Sequence, residues 1–511
     1  MERPFFHVRK RGHQFETRGT PHTVLTHEPV DNGVCRGPFV QWEWDGRRLQ
    51  IRTDRYGIYP LYYWLHDDGI GVSPSIPRLL EDGASTALDE TGLAVFLRLG
   101  FFIGEHTPFL AIRAVPPGAM VEWKDGTLDV STQGPALTCA SLSTEEARDR
   151  YAALFKRAIQ RRVTAQGDCA VPLSGGRDSR HIALELCAVG CPPKAALTFR
   201  HLRPSRDEDT LVAAQLCGAL GIPHILLDQL PSRLQAELRN NIKTNFCADE
   251  HAQYLALADY VAGRYDCLYD GIGGDVLSNG LFSNATRLAL FADGRFKDLA
   301  EDLFQAFPIA SRFSHETLLR ELLPPHQYPR FSRESAIASL SEELSRHAHA
   351  PNPVASFFFR NRTRREVALA PFSILGEEVK VLCPYLDHDV YDHLMSLPGH
   401  MFLGRSFHTD TIRHTYPTYA HIPFDNEVKA PTPKADGYYR RFGREMTWYS
   451  LTHGPSRLVR FSYLLPRLLK AALSAEYGET LFSYRHFGPH ALYLLQLERH
   501  CRGVEGYSGG V

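Results

Sequence analysis

Cys169-Ala170-Val171-Pro172-Leu173-Ser174-Gly175-Gly176-Arg177-Asp178-Ser179 is the stretch around which the rest of the 511-residue chain can be read. The apolar run 169–173 reads as a short buried strand. Ile182, Leu186 and Val189, spaced i, i+4, i+7, predict a helix directly after it. Between strand and helix, two glycines let the backbone bend tightly and bring its N–H groups close to an anion. The helix N-terminus adds its dipole, and Ser174 and Ser179 add hydroxyl donors. Together they form a phosphate cradle. No Lys follows the glycines, so this is not the Gly-x-x-x-x-Gly-Lys-Ser/Thr loop. Asp178 would repel a phosphate unless a cation bridged the two, and Mg2+, hard and oxygen-seeking, is the natural bridge. The plainer alternative is a strand–helix turn with Asp178 as a cap.

Beyond the loop, strands over 194–199, 224–228 and 267–269 alternate with helices over 207–220 and 249–264, which predicts a parallel sheet with right-handed crossovers. The last of these strands runs into Asp270-Gly271-Ile272-Gly273-Gly274-Asp275. A parallel sheet gathers the C-terminal ends of its strands along one edge, where ligands bind. Asp178 and Asp275 are therefore expected to hold Mg2+ on one phosphate chain. For Asp275 the simpler alternative is an Asp that stabilises a Gly-rich turn. After residue 284 the pattern is largely helical. Towards the N-terminus, residues 1 to about 135 read as short strands split by Asp45-Gly46 and Asp125-Gly126 turns. A small, polar linker follows over 131–143, then a helix over 144–162.

Composition narrows the function classes. The chain is 43% hydrophobic and 23% charged, with Lys+Arg 57 against Asp+Glu 58, so no basic field advertises nucleic acid or an anionic membrane. No apolar run reaches the ~18–20 residues that span a bilayer. The first residues lack the apolar stretch of a signal peptide, so a cytoplasmic location is expected. The ten cysteines form no Cys-x-x-Cys pair and are expected to be free thiols. His347 and His349, in a polar stretch, are expected to be solvated.

Several segments carry a family resemblance. Ser174-Gly175-Gly176-Arg177-Asp178-Ser179 resembles the pyrophosphate loop of the N-type ATP pyrophosphatases. Asp54-Arg55-Tyr56-Gly57-Ile58-Tyr59-Pro60-Leu61-Tyr62-Tyr63, Ala114-Val115-Pro116-Pro117-Gly118 after Thr107-Pro108-Phe109, and Cys383-Pro384-Tyr385-Leu386-Asp387-His388 before Ser396-Leu397-Pro398 are similar, in order, to motifs of asparagine synthetase-like enzymes. The resemblance implies an Ntn-hydrolase-like, β-rich glutamine amidohydrolase-like domain over 1–137 and a parallel-sheet ATP pyrophosphatase domain over 138–511. The sheet core would lie at about 165–280 and a helical extension at about 285–511. It also implies ATP-dependent activation of a carboxylate, with pyrophosphate released and an amine attacking the acyl-adenylate. Under it Ser174, Gly175, Gly176, Asp178 and Ser179 would hold pyrophosphate and Mg2+, and Leu197, Thr198 and Phe199 the adenine and ribose. Gly273, Gly274 and Asp275 would line the same pocket, and Lys434, in Pro433-Lys434-Ala435-Asp436-Gly437, would stabilise transition-state charge.

The sequence also departs from that family. Glutamine-hydrolysing members use an N-terminal Cys as nucleophile, with its own amine as base. Here Met1 is followed by Glu2, and the nearest cysteine is Cys35, so no glutamine hydrolysis is expected. The family's acid/base Glu position falls on Lys380. A two-residue insertion makes Glu378 its equivalent. Relatives without the Cys include β-lactam synthetase and lasso peptide cyclases, so lactam or macrolactam formation stands as the alternative product class, and biosynthetic partner proteins go with that alternative. A non-catalytic scaffold and a tRNA-modifying enzyme are the other readings; the latter lacks a basic, aromatic-interleaved stripe.

Overall fold

The computed structural model describes all residues except 1–2, 32–33, 135–136, 164–166, 201–206, 249, 307–315, 432–436, 453, 483–487 and 509–511. Two five-stranded antiparallel sheets make up the N-terminal part. One runs in the order Ile112–Ala114, Tyr62–His66, Gly69–Ser73, Phe6–Arg11, Gln14–Gly19; the other Thr127–Thr132, Ala119–Lys124, Arg48–Thr53, Phe39–Trp44, His22–Thr26. The alternation read from sequence is the cause. Val40, Trp42 and Trp44 face inward on one strand and Leu49, Ile51 and Thr53 on its partner, in register Val40↔Thr53 and Trp42↔Ile51. Asp45 closes their hairpin by accepting the Arg47 and Arg48 N–H groups at 2.9 and 2.8 Å, with Gly46 at φ +93°.

The C-terminal part holds a five-stranded parallel sheet in the order His224–Leu227, Ala195–Phe199, Cys169–Pro172, Cys267–Tyr269, Lys380–Leu382. From the central strand the chain winds outward to one side, then returns to build the other. The order reverses between Cys169–Pro172 and Cys267–Tyr269, which is the switch point where ligands bind in such sheets. The fifth strand, Lys380–Leu382, lies in the region read as helical. It has only three residues and no alternation to betray it.

Packing joins the two parts. Arg364, on a π-helical segment Phe359–Val367, donates to the carbonyls of Gly57, Gly104 and Val115 at 3.2, 3.2 and 2.7 Å. Arg55 pairs with Asp392 at 2.5 Å. Asp54, fully buried, accepts N–H bonds from Tyr56 (2.8 Å) and Phe39 (3.2 Å), so the Asp54–Tyr63 motif is a turn that presents Arg55 across the interface. No helix among the described residues is long and apolar enough to cross a membrane.

Two expectations are corrected. Cys169 and Cys267 are bonded as a disulfide rather than free. They are register partners on adjacent parallel strands, Cα atoms 4.8 Å apart, a proximity that their separation of 98 residues hides. His347 is buried, not solvated, with Nδ1 2.8 Å from Ser356 Oγ and Nε2 3.4 Å from Glu343.

Candidate active site at the sheet switch point

The loop after Cys169–Pro172 is held by its own side chains. Ser174 N–H donates to Ser179 Oγ (3.0 Å) and Gly176 N–H to Ser174 Oγ (3.2 Å). Thr198 donates its hydroxyl to the Leu173 carbonyl (2.7 Å), pinning the start of the loop to the neighbouring strand. Gly175 sits where a Cβ would stand 2.9 Å from Asp425 Cβ, and its N–H donates to Asp209 Oδ1 at 2.6 Å. A carboxylate thus takes one of the loop's anion-facing donors.

Asp178 opens the helix Asp178–Ala188 and leans against the second loop. A Cβ on Gly274 would lie 2.5 Å from Asp178 Cγ, and one on Gly271 would lie 2.9 Å from Asp178 Cβ. Glycine is therefore required at both positions by close approach. The Asp275 backbone N–H, in the first turn of Gly274–Ser278, faces the Asp178 carboxylate. Gly273 has φ +86°. Burial raises Asp178 to about 7. Burial, then the Asp178 charge, raises Asp275 to about 6, and Asp270 is raised to about 6 by the same two causes. Carboxyls so placed ionise more readily beside a cation.

The donor set suits a divalent cation. Asp178 Oδ1 is buried with no hydrogen-bond partner. With Asp275 it offers hard carboxylate oxygens, which suit Mg2+. Among the described residues no three His, Cys, Asp or Glu side chains form a complete cage.

The structure brings together Ser174, Gly175, Gly176, Asp178, Ser179, Gly273, Gly274 and Asp275. Leu197, Thr198 and Phe199 end the adjacent strand. Leu197 and Thr198 are buried, and the Thr198 hydroxyl is committed to Leu173. Phe199 is half-buried, with its ring 5.4 Å from Tyr254. Lys434 lies outside the described residues. Glu378 is not brought to the site. It precedes the strand Lys380–Leu382, whose C-terminal residue Leu382 pairs with Tyr269, so Glu378 sits at the opposite edge of the sheet, 3.8 Å from Lys243. A two-residue insertion preserves the motif's letters, but the parallel strand carries Glu378 away from the ligand edge.

Sequence reasoning missed several neighbours. Asp209 and Asp270 carried a usable signal, a carboxylate beside a glycine loop or just past a strand end. His408, buried against Asp178, and Arg362, whose charge acts on Asp275, carried none. Arg362 pairs with Glu250 at 2.8 Å and Glu366 at 3.3 Å. A cavity of about 1020 Å3 lined by Leu80, Leu238, Ile242 and Tyr449 lies away from all of these residues.

Comparison with known proteins identifies the family. The asparagine synthase family model matches residues 150–409, just over half of the chain, and a glutamine amidotransferase domain model matches residues 9–133. The chain belongs to the asparagine synthase family, a family of ATP-dependent ligases. The glutamine-hydrolysing asparagine synthetase of Gallus gallus is 24% identical over 197 residues, covering 36% of this chain and 34% of that protein. The chain thus matches about a third of that relative's length. Two solved structures are similar at a TM-score of 0.15. They are glutamine phosphoribosylpyrophosphate amidotransferase from B. subtilis complexed with ADP and GMP (11% identity; 39% of this chain, 49% of that one) and the allosteric regulatory enzyme of purine biosynthesis (12%; 39% and 48%).

Proposed function

We propose that this protein is an ATP-dependent, amide-bond-forming ligase that does not hydrolyse glutamine. The observation that carries the reading is the pair Asp178 and Asp275, packed against each other through Gly271 and Gly274 beside a glycine loop at the sheet switch point. In this reading the carboxylate of a small molecule or peptide attacks the α-phosphorus of ATP, pyrophosphate leaves, and an amine then attacks the acyl carbon, losing a proton and releasing AMP. The loop N–H groups and the Ser174 and Ser179 hydroxyls hold the departing pyrophosphate, with a phosphate oxygen taking the place of Asp209 on the Gly175 N–H. Mg2+, held by Asp178 and Asp275, would neutralise phosphate charge. Phe199 offers a ring face to the adenine. Lys434 retains the charge-stabilising role that the family resemblance gives it.

The absence of glutamine hydrolysis is part of the proposal. Cys35 is half-buried, and burial raises its thiol above the ordinary range, the opposite of an activated nucleophile. The family-model matches end at 133 and resume at 150, which supports the division near residue 137. The reading is tested by nucleotide product analysis with Mg-ATP, aspartate and either ammonium or glutamine, on the wild type and Asp178→Ala. AMP and pyrophosphate with an amide from ammonium, falling by about 100-fold or more in Asp178→Ala, is the expected outcome. Amide made from glutamine would overturn the reading of the N-terminal domain. Unchanged activity in Asp178→Ala would overturn that of the loop. If aspartate is not turned over, Asp178-dependent Mg-ATP binding is the corresponding readout, with lactam-forming substrates next.

A further inference from the structure

Behind Asp178 lies a buried polar knot that the loop chemistry does not use directly. Its centre is His408, fully buried, on the helix Phe407–Thr415. Its Nδ1 is 2.9 Å from Ser278 Oγ and 3.3 Å from Asp178 Oδ1. Ser278 has one hydroxyl proton and donates it to the Gly274 carbonyl at 2.7 Å. Its oxygen must therefore accept at His408, which places the ring proton on Nδ1. On the other side, Nε2 is left as an acceptor, 3.2 Å from Tyr151 Oη and 3.1 Å from His181 Nδ1. Tyr385, 3.4 Å from the same nitrogen, donates its hydroxyl to the Asp178 carbonyl at 3.1 Å. The ring is thus held on both edges, its single N–H bonded to Ser278 and its Nδ1 edge lying between two elements of the site. One element begins with Asp178. The other, Gly274–Ser278, carries Asp275 in its first turn. The next residue, Thr409, accepts from Arg177 Nε of the loop at 2.7 Å, so the same helix touches the site twice.

We propose that His408 is a positioning residue for the divalent-cation site: its Nδ1 edge, bonded to Ser278 Oγ on the Asp275 helix and standing 3.3 Å from Asp178 Oδ1, sets the spacing of the Asp178 and Asp275 carboxylates. The inference rests on the reading of those carboxylates as the cation site. A buried carboxylate oxygen set against the polarised edge of a fixed ring has one preferred orientation, and a cation held by the two carboxylates would tolerate little error in their separation. Without that ring edge, only the Asp275 N–H holds the Asp178 carboxylate, and Mg2+ binding would have to reorder it.

The test measures ATP binding without a carboxylate substrate, titrating Mg2+, and repeats the measurement in EDTA. His408→Leu removes the donor, His408→Asn keeps an N–H near the Nδ1 position, and Ser278→Ala removes the group that fixes the tautomer. Expected are a rise of about tenfold or more in half-saturating Mg2+ for His408→Leu, recovery to within about threefold for His408→Asn, and a rise of about threefold for Ser278→Ala. ATP binding in EDTA should stay unchanged in all three. Equal losses with and without Mg2+, or Mg2+ dependence like the wild type's, would overturn the proposal. If His408→Leu does not fold, Ser278→Ala decides on the same criteria. Asp178→Asn separates the two readings: if Mg2+ dependence survives it, the cation-site reading fails, whereas its loss in Asp178→Asn but not at His408 or Ser278 leaves only the positioning role refuted.

Discussion

Asp178 and Asp275 each meet two opposing demands: to sit half-buried beside one another and to be charged when a nucleotide arrives. Burial raises Asp178 to about 7, and burial with the neighbouring charge raises Asp275 to about 6. A carboxyl with a folded-state pKa above its unfolded value contributes stability below the unfolded value, and that contribution is lost as pH rises through the folded one. The cation-free protein should therefore melt at a lower temperature at about pH 7.5 than at about pH 5. Mg-ATP should raise the midpoint more at the higher pH, a pattern that scanning calorimetry would read. Gly274 makes the geometric counterpart. With Asp178 Cγ 2.5 Å from where a Cβ would be, Gly274→Ala should displace the carboxylate and cut Mg-ATP affinity by about tenfold or more, with little change in circular dichroism. Affinity equal to the wild type's would show that the two loops have slack.

Helices and strands are tied across the molecule by buried ions. Arg162, on the helix Thr144–Val163, bonds Glu28 at 2.7 Å and Asp387 at 3.1 Å; Asp387 also takes Arg161 at 2.7 Å and caps the helix His388–Ser396. Glu28 comes from the N-terminal part and also accepts the Cys383 N–H at 2.8 Å. The Pro384-Tyr385-Leu386-Asp387 motif was recognisable in sequence, but its use as a knot between two sheets was not. Arg162→Met should cost about 3–5 kcal/mol in denaturant unfolding, because it strands buried carboxylates rather than because the ion pair is strong. A loss below about 1 kcal/mol would mean that water reaches the pair. Arg364 plays a related part, its guanidinium meeting three carbonyls of the N-terminal part.

Across the whole molecule, distance from the switch point decides which conspicuous residues matter. Glu378 has the letters of a family acid but sits at the far edge of the parallel sheet beside Lys243. Glu378→Gln should leave turnover within about twofold of the wild type, as expected of a partly exposed site away from the chemistry. A loss above about tenfold would return it to the reaction. The glycine loop, the strand–helix alternation around it and the antiparallel hairpins were legible in the sequence because backbone flexibility and side-chain periodicity act over a few residues. Other features were not: the bond between Cys169 and Cys267, the placement of His408 against Asp178, and the strand Lys380–Leu382 joining the sheet beside Cys267–Tyr269. Each depends on residues about a hundred or more positions apart meeting in space. No local pattern encodes such a meeting, because it is packing of whole elements that brings them together.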